Sequence, residues 1–423
     1  MIRNFIRTCG ARLFVDLRFV LLAAMAGAGC DLPQGRIARE MRGADTVSKE
    51  GVTVHYSKGL SRQAECFAAV VAKQMAYVRA MTSYELQPWL AHAQVYLKLV
   101  GSEASAKSPT PDWYAWELPL LVDRDKASCE DILAKVDVFY PFTWMHEIVE
   151  GSLVWGEQPH AMLDDRHKAL DGADRDELHY TRWFREGFAS YCSILASRAA
   201  SYSDGTETDE IRPDMFNRRQ YLAPFSSLAK VRTRIFAWTQ VDDYTGYCLE
   251  KDGGDLLGLS QRDVAEQHHY NAALALFLLI EDRFGQEAIR QIGREVSQLK
   301  NGTGEDLRRI VSGAVGTDIV KVVDEFRFPA LGLSMAPIYR PPAKFAGGEI
   351  KEGLLVDRVR DDSPAQLAGL KRDDVILSLE GERTLREFDF ECALYKHMRQ
   401  DTVKIGLWRK GAGRMTVEMK IGK

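Results

Sequence analysis

The sequence contains no long run of charge of one sign, no internal repeat and no low-complexity tract. Its 423 residues carry a formal net charge of -4, with 27% charged and 46% hydrophobic residues. The absence of a basic tract argues against a nucleic-acid-binding protein. The ordinary hydrophobic content excludes a disordered chain, and the length allows two or three domains that each bury a core.

Cysteine is scarce, and no CxxC pair is present. Beyond the first 30 residues five cysteines stand far apart in the chain: Cys66, Cys129, Cys192, Cys248 and Cys392. This odd, scattered set excludes a dense disulfide framework. We therefore expect small buried hydrophobic side chains with at most one or two bridges.

The chain also lacks a hydrophobic run that spans a bilayer comfortably, although its start is apolar. Four arginines precede the apolar residues 19–26, and the small residues 27–29 precede Cys30. This order is typical of a secretory signal. The end of the segment resembles the lipobox of bacterial lipoproteins, which implies lipidation at Cys30 in the cell envelope, and Asp31 resembles an inner-membrane retention signal. Cleavage after Ala28 and an uncleaved anchor are the alternatives.

The periodicity of residues 51–124 predicts a small mixed sheet. Residues 52–56 and 94–100 alternate as strands do, residues 61–81 have apolar side chains at helical spacing, and residues 113–122 could form an edge strand. The order is therefore strand, helix, strand, strand.

The following 200 residues are predicted to be mainly helical. Three helices are expected, at 141–155, 180–197 and 270–284. Gly285 should end the third of them. After Pro329 short β-type runs separated by turn residues return, which indicates a separate β-rich region.

The segment that carries the clearest chemistry is His146-Glu147-Ile148-Val149-Glu150, and Glu186 follows 36 positions later. Residues four apart share a helix face, so His146 and Glu150 could bind one ion while Glu147 approaches a bound water. Glu186 could supply a third ligand. A His-Glu pair alone more often marks a solvated helix face.

The surroundings of Glu186 resemble the second zinc-binding motif of the gluzincin peptidases, which is often W-x-x-E-G-F/L-A/T-x-Y. Matching positions are Trp183, Glu186, Gly187, Phe188, Ala189 and Tyr191. The resemblance implies Zn²⁺ held by His146, Glu150 and Glu186, with Glu147 as general base. Tyr270 lies in a segment similar to the helix start of aminopeptidase-type gluzincins, which implies a hydrogen bond to the oxyanion.

Glu150 departs from the gluzincin pattern, which has a second histidine there. A third carboxylate lowers the formal charge of the zinc shell, so weaker hydrolysis, a harder metal or lost catalysis are all expected outcomes. Converging carboxylates also repel each other, and a bound cation would relieve that repulsion. Three nearby histidines are alternative ligands, although their polar surroundings favour a surface insertion: His160, His167 and His179.

Glu117 follows Ala115-Trp116 in a segment that weakly resembles the A-M-E motif with which aminopeptidases hold a substrate amine. The resemblance implies an amine anchor on the edge strand. The alternative is an ordinary exposed strand residue.

The end of the chain resembles a PDZ domain of bacterial proteases, through the SPAxxAGL-type run 362–370 and the strand after Asp374. Asp373 replaces the usual glycine there. The resemblance places the carboxylate-binding loop at Leu331, Gly332 and Leu333, where backbone N–H groups would receive a peptide C-terminus. The alternative is a PDZ domain that only packs on the preceding domain.

The combination resembles the glycyl aminopeptidase family, without its long N-terminal β domain. We expect an α+β fold, with a thermolysin-like gluzincin domain followed by a β-rich PDZ domain. The expected divisions are a signal segment 1–30, an α/β part 31–124, a helical metal-site part 125–330 and the PDZ domain 331–423. Two functions are compatible with this organisation, a zinc-dependent peptidase and a catalytically inactive peptide-binding lipoprotein.

Overall fold

A computed structural model of the chain describes most of its helices and strands. The described residues are 41–49, 52–85, 94–100, 117–123, 145–146, 148–150, 153, 172–198, 224–237, 261–299, 302–337, 350 and 353–421. The predicted signal segment, Cys30, Asp31 and Glu147 lie outside them. Within the described part of the chain, no helix combines the length and apolarity needed to cross a bilayer.

The N-terminal region contains a four-stranded mixed sheet and one long helix. Its elements are β1 (Asp45–Lys49), β2 (Val52–Tyr56), α1 (Ser61–Thr82), β3 (Gln94–Val100) and β4 (Glu117–Asp123). The strand order follows the chain; β1 and β2 are antiparallel, and β2, β3 and β4 are parallel. The two parallel crossovers explain why α1 lies between β2 and β3 in the sequence.

Helix α1 forms where apolar residues recur every three or four positions. Phe67, Val71 and Val78 are buried on one face, as the period of an α-helix requires. The helix ends at Ser83, whose backbone is left-handed and whose N–H donates to the Arg79 carbonyl at 2.7 Å. This end supports the predicted helix 61–81.

The middle region is helical. Its elements are α2 (Gly172–Arg198), α3 (Pro224–Val231), a 3-10 helix (Arg232–Ala237), α4 (Gln261–Ser297), α5 (Gly304–Val315) and α6 (Ile319–Glu325). Gly285 interrupts α4 with a φ of 82°, so the predicted end of a helix at this glycine is correct. A second helix follows it directly because glycine adopts positive φ at little cost.

Aromatic packing joins α2 to α4. Phe184 and Phe188 stack at a centroid distance of 5.5 Å, and both contact the ring of Phe277 edge-on at 5.4 Å. Gly187 lies between them, so close to α4 that a Cβ there would stand 2.6 Å from the Ala273 carbonyl oxygen. The glycine therefore sets the spacing of the two helices that carry most of the candidate site.

The C-terminal region has its own sheet and its own core. Its elements are β5 (Leu333–Pro337), β6 (Leu354–Val359), α7 (Pro364–Leu367), β7 (Val375–Leu379), β8 (Glu382–Arg383), α8 (Glu387–His397), β9 (Thr402–Arg409) and β10 (Gly413–Lys420). The sheet order is β10-β9-β7-β6-β5, all antiparallel, with β8 paired to β7. Asp373 adopts a φ of 70° before β7, the conformation for which glycine is usual.

Helix α8 belongs to two hydrophobic cores. Phe390 and Leu394 pack into the core of the C-terminal sheet. Phe388 and Tyr395 lie on another face and pack against the core of the middle region. The C-terminal region is therefore docked on the preceding helices through one of its own core helices.

Several boundaries differ from the predictions. Strand β1 was not predicted, because its exposed sequence has no apolar alternation. Strand β4 is described from Glu117, and residues 113–116 of the predicted edge strand lie outside the described residues. Helix α2 begins at Gly172 rather than at 180. Cys66 is disulfide-bonded, whereas Cys192 and Cys392 are free.

Candidate metal centre

His146 lies at the centre of the candidate site. It belongs to a short helical stretch whose neighbours Met145, Ile148 and Val149 are buried in the hydrophobic core. The core holds the backbone of this stretch while the imidazole points toward polar side chains. His146 Nε2 lies 3.0 Å from Glu186 Oε2 and 3.7 Å from Glu150 Oε2.

Helix α2 contributes three polar residues on one face. Arg182, Glu186 and Ser190 are four apart, so their side chains follow one another along the helix. All three are buried. Ser190 Oγ lies 3.2 Å from His146 Nδ1, and a hydroxyl can donate to this nitrogen or accept from it. Ser190 therefore supports either neutral tautomer of the histidine, including the one whose Nε2 binds a metal.

Glu150 and Glu186 orient their carboxylate oxygens in the same way. Each directs Oε2 toward His146 and Oε1 toward an arginine. Arg185 donates from Nη2 to Glu150 Oε1 at 2.8 Å, and Arg182 Nε donates to Glu186 Oε1 at a longer 3.4 Å. The Arg185 side chain is only 3% exposed and that of Glu150 is 21% exposed, so this ion pair is partly buried and is not a surface contact.

The pKa values of the two carboxyl groups move in opposite directions. Burial raises the pKa of Glu150, and the neighbouring charge of Glu186 raises it further, although Arg185 opposes the rise. Burial also acts on Glu186, but the hydrogen bond with His146 and the charge of Arg182 outweigh it and lower its pKa to about 2. Glu186 is therefore the carboxylate that stays ionised, whereas Glu150 takes up a proton more readily unless a cation is bound.

His146, Glu150 and Glu186 could hold one metal ion. One potential ligand atom from each lies within 4.8 Å of the others. Two ligands of a tetrahedral zinc ion stand about 3.4 Å apart, and the distances of 3.0 and 3.7 Å from His146 bracket that value. The donor set of one imidazole and two carboxylates also suits zinc.

Two guanidinium groups also relieve the carboxylate repulsion, for which the sequence predicted proton uptake or a bound cation. Arg182 and Arg185 formally balance the charges of Glu150 and Glu186 without any ion. Neither arginine was predicted to lie in the site. A signal was present, because Arg182 precedes Glu186 by one helical turn and Arg185 is its direct neighbour.

Tyr270 completes the described part of the site. It is half-buried on α4, and Arg182 Nη2 donates to its hydroxyl oxygen at 2.7 Å. Arg182 thus contacts both a candidate metal ligand and the predicted oxyanion donor. Tyr270 was predicted as a site residue, whereas its contact with Arg182 was not.

Other predicted site residues lie outside the residues or side chains that the structure describes. Glu117 is the first residue of β4, and only its backbone is described. His160 and His167 lie outside the described residues, as do Glu147 and Cys30. Their predicted roles remain predictions.

The predicted carboxylate-binding loop lies immediately before β5. The Leu331 carbonyl accepts from Ala365 N at 3.1 Å, and the Gly332 carbonyl accepts from Arg360 N at 2.9 Å. Gly332 has a φ of 73°, and a Cβ there would overlap the Ser363 side chain. The two carbonyls thus point into the domain, and β5 continues from Leu333 at the end of the described sheet order.

A protein-family profile described as PDZ domain matches residues 329–421. These residues form a PDZ domain, as the sequence analysis predicted for residues 331–423. The chain is also 28% identical over 143 residues to a serine protease Do-like HtrA of Lactococcus lactis, covering 30% of this chain and 35% of that protein. It is 30% identical over 101 residues to a serine protease Do-like HtrA of Bacillus subtilis, covering 22% of each. The chain therefore spans about a third or less of the length of these relatives.

Among solved structures, an aminopeptidase N family protein from Idiomarina loihiensis is similar over 89% of this chain and 66% of that chain. The sequence identity is 13% and the TM-score is 0.40. The isolated HtrA3 PDZ domain bound to a phage-derived ligand is similar over 22% of this chain and 85% of that chain, at 19% identity and a TM-score of 0.18.

Proposed function

We propose that the protein is a metal-dependent peptidase of the cell envelope, which hydrolyses peptides and binds peptide or protein C-termini through its PDZ domain. The observation that carries the proposal is the convergence of His146, Glu150 and Glu186 within 4.8 Å. These residues come from two separate segments of the chain, and the resemblance to gluzincins implies all three as zinc ligands.

The residues around the site would have separate roles in peptide hydrolysis. A bound zinc ion would supply an activated water and polarise the substrate carbonyl. His146 and the two glutamates would hold the ion, and Ser190 would orient the imidazole through Nδ1. Glu147 would take a proton as general base. Tyr270 accepts from Arg182, so its own O–H acts as a donor toward an oxyanion.

The PDZ domain would capture substrates or partners by their C-termini. HtrA-type relatives and a PDZ domain solved with a phage-derived peptide support this role by analogy. The loop of Leu331, Gly332 and Leu333 would receive the terminal carboxylate, and the peptide would extend along β5. Titration of the full chain with fluorescent peptides, in free-acid and amidated forms, measures this binding. Equal affinity for both forms would contradict the proposed carboxylate loop.

Envelope anchoring through Cys30 is a further part of the proposal, supported by the signal-like segment that precedes it. Metabolic labelling with an alkyne fatty acid should label the wild type and not Cys30→Ser. Fractionation of the membranes would then show whether Asp31 retains the protein in the inner membrane. Labelling that persists in Cys30→Ser would argue against this anchor.

Two measurements test the hydrolytic function. Metal analysis of the purified protein should find about one zinc ion per chain, and a peptide library should be cleaved by the wild type but not by Glu147→Gln. Equal zinc content in Glu147→Gln is the control, since Glu147 is not a proposed ligand. Cleavage by both proteins would assign the activity to a contaminant or to another site.

A second candidate is a peptide-binding protein that has no hydrolytic activity. The observation that favours it is the pairing of both carboxylates with Arg182 and Arg185, which balances their charges without an ion. A protein of this kind would bind C-terminal peptides through its PDZ domain, contain little zinc and leave the peptide library intact.

A further inference from the structure

Glu150 occupies the position at which the HExxH helix pattern has its second histidine. A ligating imidazole is neutral, whereas a ligating carboxylate carries a negative charge, since metal ligands must be deprotonated. Replacing the histidine by a glutamate would lower the formal charge of a zinc centre by one. A cationic side chain beside the carboxylate would compensate for this difference.

Arg185 lies where that compensation is needed. Its Nη2 donates to Glu150 Oε1 at 2.8 Å, while Glu150 Oε2 faces His146 Nε2 at 3.7 Å. A guanidinium group does not lose its proton in proteins. An ionised Glu150 together with Arg185 is therefore formally neutral, and one carboxylate oxygen remains directed at the candidate metal position.

We propose that Glu150 and Arg185 together replace the second histidine as one neutral ligand unit. Glu150 Oε2 is the ligand atom, and Arg185 is a positioning residue that acts through Glu150. The inference rests on the proposed metal centre. It implies that Glu150→His alone weakens zinc binding, because a neutral histidine cannot pair with the buried guanidinium group of Arg185.

The test compares the zinc affinity of four full-length proteins by competition with a chromophoric chelator. They are the wild type, Glu150→His, the double variant Glu150→His with Arg185→Gln, and the double variant Glu150→His with Arg185→Lys. The lysine variant keeps the positive charge and is the matched control for the glutamine variant. Thermal unfolding in excess chelator shows whether each metal-free protein is folded.

The wild type and the glutamine double variant should bind zinc with affinities within about tenfold of each other. Glu150→His and the lysine double variant should both bind at least about tenfold more weakly, because the buried positive charge at position 185 then loses its Glu150 partner and repels the metal. This order of affinities would follow from the charge at position 185, because lysine is positive and glutamine is neutral. A purely structural role of Arg185 in packing would not produce it.

Equal zinc affinity of Glu150→His and the glutamine double variant would overturn the inference. It would also be overturned if only the double variant bound zinc, since the natural pair would then not be a ligand unit. If no protein binds zinc, the inference and the proposed metal centre both fail. If the affinities follow the expected order but no peptide is cleaved, the inference stands and only the hydrolytic function is wrong.

Discussion

The rings of Phe225 and Tyr395 stack almost in parallel, 4.2 Å apart at their centroids and at an interplanar angle of 5°. Phe225 is the second residue of helix α3 in the middle region, and Tyr395 belongs to helix α8 of the PDZ domain. Beside this contact Glu391 Oε2 accepts from the backbone N–H groups of Phe225 and Ser226 at 2.8 and 3.2 Å. The PDZ domain thus contributes a carboxylate that satisfies the first N–H groups of α3.

Because of two glutamates on the helix at this junction, we expect the free energy of unfolding to fall as the pH rises toward 8. Burial raises the pKa of Glu391 to about 7 and that of Glu387 to about 8, and the charge of Glu391 adds to the shift of Glu387. Both values exceed those of an unfolded chain, so the folded state binds more protons. Their contribution is complete below about pH 4.5 and is lost as the pH passes through 7 and 8.

Melting temperatures measured from pH 5 to pH 8 test this dependence. Glu391→Gln keeps a side-chain oxygen acceptor without a titrating carboxyl, so its melting temperature should fall less over this range. Glu418→Gln, which removes an exposed carboxylate from β10, is the control and should retain the wild-type slope. A wild-type slope in Glu391→Gln would show that Glu391 does not cause the dependence.

Gly187→Ala should destabilise the protein by about 1 to 3 kcal/mol, because its Cβ would meet the Ala273 carbonyl and the Phe277 ring of α4. Urea unfolding measures the change. Gly313→Ala is the matched control on an exposed position of α5, with nothing within 4 Å of the new Cβ. That substitution should stabilise the protein by about 0.5 to 1 kcal/mol, and destabilisation by both would rule out the close helix approach as the cause.

Gly332→Ala should abolish binding of peptide C-termini while the PDZ domain remains folded. The methyl group would overlap Ser363 and also strain a backbone with a φ of 73°. Gly369→Ala imposes a similar strain at a φ of 80° but meets no atom within 4 Å. It should therefore retain peptide binding by fluorescence anisotropy, and an equal loss in both variants would attribute the effect to backbone strain alone.

Tyr270→Phe should lower kcat by about a hundredfold, if the protein hydrolyses peptides, because the oxyanion loses a donor. Zinc content should not change, since Tyr270 contacts Arg182 and is not a proposed ligand. Tyr395→Phe removes an equivalent hydroxyl, which donates to Asp282 at the domain junction, and it should retain the wild-type kcat. A loss of zinc in Tyr270→Phe would indicate disruption of the whole site.

Much of the fold could be predicted from patterns that act over short distances. Strand β2 and helix α1 follow from alternation and from apolar spacing, and the break in α4 follows from Gly285. Strand β1 could not be predicted in the same way, because its side chains are largely exposed and its pairing with β2 supplies the stability. The start of α2 at Gly172 could not be predicted either, because the apolar pattern of this segment begins only at about residue 180.

The sequence by itself determined which residue types are available for the site and on which helices they lie. The spacing of His146 and Glu150, and the four-residue repeat from Arg182 to Ser190, are properties of single helices. Only the tertiary structure decided that Arg185 pairs with Glu150, and that the PDZ helix α8 contacts α3. These pairs lie 35 and more than 160 residues apart in the sequence. They depend on how packed helices orient their side chains, and a local sequence pattern does not contain that information.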